Sequence, residues 1–107
     1  MAVISTPAER RQLVQQLPAL RADDSMRIQR FLDAIWAENG LARATLDSYR
    51  RDLEGLARWL DGREGGLAGV ERAGLFDYLA WRTRHGWSPR SNARLLSALR
   101  AFFADGV

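Results

Sequence analysis

The sequence predicts an all-α fold, a compact bundle of four helices with an N-terminal extension. Three observations carry this expectation. Apolar residues recur at helical spacing in four separate windows. Glycine or proline punctuates the boundaries between them. No segment alternates apolar and polar residues as a half-buried strand does. The 107 residues suit one domain, and a hydrophobic content of 47% is enough to fill its core.

Residues 1–24 read as an appendage. Thr6-Pro7-Ala8-Glu9 fits a capping box with proline at the first helical position. A short helix carrying Leu13, Val14 and Leu17 follows, and Pro18 stops it. Its apolar face is small, which predicts weak docking.

The bundle occupies residues 25–107. Its first helix runs from Met26 to Asn39, with Asp24 or Ser25 as the cap. Ile28, Phe31, Leu32, Ile35 and Trp36 share one face, and Gly40 is a natural stop. The second helix spans Ala42 to Asp61 on a stripe of Leu46, Tyr49, Leu53, Leu56 and Leu60, and Gly62 ends it. Its other face sets Asp47 against Arg51 and Glu54 against Arg58 at i,i+4, a pattern of a solvated surface. Gly62 to Gly69 reads as a loop. A third helix follows from Glu71 to His85. Leu75, Phe76 and Leu79 lie together on it while Trp81 points elsewhere, as in a helix buried on two sides or one that offers Trp81 to a partner. The fourth helix opens at Ser88-Pro89, an N-cap serine with proline next, and reaches Phe103. Its core stripe is Leu95, Leu96, Leu99, Phe102 and Phe103, with Arg90, Arg94 and Ser97 near the opposite side and Arg100 on the flank.

Charge is distributed unevenly. Between Tyr78 and Ala104 there are five arginines and no acidic residue, whereas the whole chain carries only +3. The rest of the chain is therefore net acidic. A positive field confined to one segment points to an anionic partner. The fourth helix adds free amides and a positive dipole end, the hydroxyls of Ser88 and Ser91, and Arg90 and Arg94 one turn apart. Such a helix fits the major groove of DNA. The same pattern also describes a solvated basic helix, and the charges alone leave both readings open.

Other chemistries find little support. All 16 basic residues are arginine, and there is no cysteine, which excludes disulfides, zinc–thiolate sites and cysteine nucleophiles. No metal-ligand cluster, glycine-rich phosphate loop or triad is evident, so neither cofactor nor catalysis is expected. His85 at a helix end, Tyr49 and Tyr78 read as structural, as do Trp36 and Trp59 at the core or its edge. Trp87 either braces its loop or meets a sugar-phosphate backbone. The start lacks the apolar run of a signal peptide, and no window suits a membrane span, so a cytoplasmic location is expected.

Two segments carry a family likeness. LARATLDSYRRDLEGLARWL (Leu41–Leu60) and SPRSNARLLSALRAFF (Ser88–Phe103) resemble the N-terminal core-binding domain of tyrosine site-specific recombinases of the XerC/XerD type. IQRFLDAIWAENGLA (Ile28–Ala42) agrees with it. The resemblance covers about residues 26–104 and implies a SAM-like four-helix domain that holds one side of a duplex recombination site. It further implies that the second and fourth helices approach the major groove. The positions that match are Arg43, Thr45, Ser48 and Arg51 on the second helix, and Ser88, Arg90, Ser91, Arg94 and Arg100 on the fourth. Two departures stand out: Ala44 replaces a polar residue common in the family, and FFADGV replaces an aromatic, basic continuation. The family's catalytic residues are absent, so the chain is expected to be the monomeric, non-catalytic DNA-binding part of a longer recombinase. Duplex DNA and partner recombinase subunits would be its partners, in chromosome dimer resolution or in phage or mobile-element integration. A helical adaptor that binds protein through the Trp81 face or the N-terminal extension is the rival of another class.

Overall fold

Short connections between amphipathic segments fold the longer helices back on one another, and this arrangement is realised in the computed structural model of the chain. It describes residues 6–61 and 66–104. Five α-helices follow in order: α1 (Pro7–Gln15), α2 (Ala22–Asn39), α3 (Arg43–Asp61), α4 (Arg72–Arg84) and α5 (Pro89–Ala104). A single 3₁₀ turn, Leu67–Gly69, precedes α4. No strand occurs among the described residues. The Gly62 stop, the first part of the expected glycine-rich loop and residues 105–107 lie outside them.

Local chemistry sets most boundaries. The Thr6 side chain accepts from the Glu9 amide, and the Glu9 carboxylate accepts from the Thr6 amide, completing the expected box at α1. Gly40 closes α2 at φ 60°, the left-handed conformation in which a glycine costs least. Ser88 caps α5 by accepting from the Ser91 amide at 3.1 Å. One expected cap fails. The helix α2 begins a turn early, after Arg21, and Asp24 lies inside it and fully buried. Its Oδ1 accepts from the Leu67 amide at 3.1 Å, so it ties the 3₁₀ turn to α2 and caps nothing. Burial pushes the Asp24 carboxyl above its ordinary value.

The chain passes this point through Gly66, at φ 87°. A Cβ there would overlap the Asp24 carboxylate. Gly66→Ala is therefore expected to destabilise the fold by about 1–3 kcal/mol from backbone strain alone. Urea unfolding measures this, and an unchanged midpoint would refute the tie.

The core gathers around α3. This helix packs on α2, α4, α5 and the 3₁₀ turn and buries Leu53, Leu56, Ala57, Trp59 and Leu60. From α2 come Ile28, Phe31, Leu32 and Ile35; from α5 come Leu95, Ala98, Leu99 and Phe102. Phe31 and Phe102 meet edge to face at 5.3 Å. Three expected core residues turn outward: Trp36 and Phe76, each 62% exposed, and Leu96. Trp81 contacts other aromatic side chains of the fold. It is half-buried and stacks on Tyr78 at 5.8 Å, within reach of Trp59, His85 and Trp87.

The helix α1 buries no residue. Leu17 and Leu20, in the connection after it, pack against the core. Arg58 holds that connection by donating to the carbonyls of Leu17 (3.1 Å) and Pro18 (2.8 Å). It therefore does not serve as Glu54's ion-pair partner; Glu54 instead lies 3.9 Å from Arg50.

Candidate nucleic-acid interface

The first turn of α3 contains no acidic residue, and neither does that of α5. Neither positive dipole end is thus offset by a carboxylate in its first turn, although Ser88 already takes the Ser91 amide on α5. On α3, Arg43 and Arg51 are exposed, while Thr45 and Ser48 are half-buried. At the start of α5, Ser88 and Arg90 are exposed and Ser91 is half-buried, its hydroxyl accepting from that of Ser88 at 3.1 Å. Arg100 is exposed but sits ten residues beyond Arg90, about 15 Å along the axis.

Arg94 departs from the expected free projection. Its Nε lies 2.9 Å from Asp52 Oδ2 and its Nη2 3.1 Å from Oδ1, a two-pronged contact between α5 and α3. Asp52 is only 5% exposed, whereas the Arg94 side chain is 44% exposed. The guanidinium stem emerges on the polar side of α5 and bends back to pair with an almost wholly buried carboxylate. The Asp52 hydrogen bonds raise the Arg94 pKa above the ordinary arginine value.

Arg82 corrects the charge reading further. It was counted as displayed charge, yet it is buried, with Nη1 3.8 Å from Asp52 Oδ1. Its guanidinium lies over Trp87 at 5.4 Å and over Tyr78 at 5.8 Å. Trp87 accordingly braces the α4–α5 connection. Burial pushes the Tyr78 hydroxyl up to about 12, so it stays protonated at neutral pH. The basic segment therefore presents Arg84, Arg90 and Arg100 outright, and Arg94 in part.

Sequence reasoning passed over Asp52 and Arg82, although a signal existed for each. Asp52 borders the apolar stripe of α3, three residues after Tyr49 and four before Leu56. Arg82 follows Leu75 by seven residues and Tyr78 by four, squarely on the buried side of α4. A charge on an apolar stripe needs a partner.

The geometry brings some candidate residues together and leaves others apart. Arg51 and Arg94 line one groove of about 540 Å³, bounded by α1, α3, α4 and Trp87. Arg43 lines a second, of about 410 Å³, between α2 and α3 beside Trp36 and Arg50. Thr45, Ser48, Ser88, Arg90, Ser91 and Arg100 line neither.

The class of this helical unit is given by comparison with known proteins. The profile of the phage integrase N-terminal SAM-like domain matches residues 28–105, and the chain belongs to that family. Among its relatives is the tyrosine recombinase XerD of Xanthomonas campestris pv. campestris, 68% identical over 107 residues. That alignment covers 96% of this chain and 33% of the relative. The XerD of Pseudomonas aeruginosa is 51% identical over 76 residues, covering 71% of this chain and 26% of the relative. That of Vibrio cholerae is 40% identical over 85 residues, covering 79% and 28%. The chain thus spans a third or less of the length of these curated relatives. No solved structure gives a significant match. Among the described residues, no helix is long and apolar enough to cross a membrane.

Proposed function

We propose that this chain is the DNA-binding, core-binding domain of a XerD-type tyrosine recombinase. Helices α2 to α5 form its SAM-like four-helix unit, which clamps one side of a duplex recombination site. Cleavage and rejoining of strands belong to a catalytic domain elsewhere in the parent protein. Partner recombinase subunits complete the assembly on DNA in the bacterial cytoplasm. Relatives named XerD favour chromosome dimer resolution over phage or mobile-element integration. The observation that carries the reading is the pair of acid-free helix starts bearing exposed Arg43 and Arg90, with exposed Arg51 further along α3. Arginines so placed suit phosphate oxygens and guanine edges. Against the adaptor reading, the half-buried Trp81 gives part of its face to Tyr78 within the fold.

Salt titration tests the proposal. If about five phosphates are neutralised, log K for a duplex falls against log salt with a slope of about −4 to −5. Arg90→Ala is expected to flatten that slope by about one and to leave the melting temperature unchanged. Binding indifferent to salt would exclude the DNA reading.

A further inference from the structure

The larger groove carries a feature that the family likeness, beginning near residue 26, does not reach. Its walls hold six arginines, Arg10, Arg11, Arg51, Arg58, Arg82 and Arg94, against the two carboxylates of Asp52 and Glu54. Asp52 is already taken by Arg82 and Arg94, and Glu54 lies beside Arg50 outside the groove. Arg58 is committed to the carbonyls of Leu17 and Pro18. Arg11 on α1 and Arg51 on α3 remain, both exposed and neither in an ion pair among the described residues. Both line the same open groove, one from α1 and one from α3.

The wall made by α1 is held in place. Arg58 fixes the carbonyls just after α1, and the Arg10 guanidinium lies 5.8 Å from the centroid of Trp87, the residue before the Ser88 cap. The extension is thereby set against the start of α5, where the proposed DNA contacts lie. A positive groove that opens beside those contacts and leaves two guanidinium groups unmatched suits a run of phosphodiesters.

We infer that α1 is part of the DNA interface: Arg11 and Arg51 grip backbone phosphates of the duplex across this groove. The inference rests on the DNA-binding reading and adds residues of the N-terminal extension to it. Contacts of this kind carry no sequence information; they add affinity and fix register.

The test uses the 107-residue chain and a fluorescein-labelled duplex, with anisotropy read across a potassium chloride series. Arg11→Gln and Arg51→Gln are each expected to weaken binding several-fold and to flatten the salt slope by about one. Arg11→Lys should restore the slope, since it keeps the charge. Thermal melts of these variants are expected to match the parent, because both side chains are exposed. If the parent binds with the expected slope and Arg11→Gln does so identically, α1 lies off the DNA and the inference falls alone. If the parent binds no duplex, the DNA-binding reading falls and takes the inference with it. If inorganic phosphate at matched ionic strength displaces the duplex from the parent but not from Arg11→Gln, the groove is a small-anion site and the assignment to DNA is wrong.

Discussion

Asp52→Ala is expected to cost about 3–5 kcal/mol, the loss usual when one partner of a buried charge cluster is removed. The carboxylate is 5% exposed and holds Arg94 through two short hydrogen bonds, with Arg82 at 3.8 Å. Its loss leaves the Arg82 guanidinium buried with a positive charge and no counter-charge. Domains of this size hold together by only about 5–15 kcal/mol, so the variant approaches the unfolding threshold. At about 4–8 °C for each kcal/mol, the melting temperature should drop by more than 10 °C. Calorimetry or circular dichroism measures this. A double-mutant cycle with Arg82→Met keeps the argument testable if the single variant scarcely folds. Removing both charges should cost less than the two single losses added together. Strict additivity, or a melt within a degree or two of the parent, would mean that the cluster contributes nothing to the fold.

Arg94→Ala is expected to lower stability by about 2 kcal/mol, a charge-assisted pair discounted for the 44% exposure of its side chain. The melting temperature should fall by about 10 °C. The helical wheel alone leads to the opposite expectation, a DNA contact whose removal barely touches stability. The two are separated by measuring unfolding without DNA. An unchanged melt would show that the Asp52 contact is dispensable, and Arg94 would then be free to meet phosphate. A large drop makes any accompanying loss of DNA binding uninterpretable for this residue. Arg90, which has no such partner, is the better probe of the interface.

How much the sequence disclosed depends on how far each determinant reaches along it. Caps and stops are settled within four residues, so Thr6, Gly40 and Ser88 were legible. Apolar stripes are settled within one helix, so the buried faces of α2, α3 and α5 were legible too. Trp36, Phe76 and Leu96 went astray because a stripe is wider than the contact it makes, and its edge faces water wherever no neighbouring helix arrives. Asp24 was misread because its hydrogen bond crosses 43 residues to Leu67. The Asp52 cluster was missed for the same reason, since Arg94 lies 42 residues away. A wheel drawn for one helix reports where a Cα points, but a guanidinium on three methylenes can bend to the opposite quarter. The same limit hid the groove, whose walls come from four helices. The candidate residues at the starts of α3 and α5 came from the family likeness and from charge together.

The way α1 is attached has an evolutionary consequence. A segment with no fully buried side chain can be reworked by mutation without opening the interior. On the proposed reading, such changes retune affinity for DNA while the scaffold of α2 to α5 stays untouched.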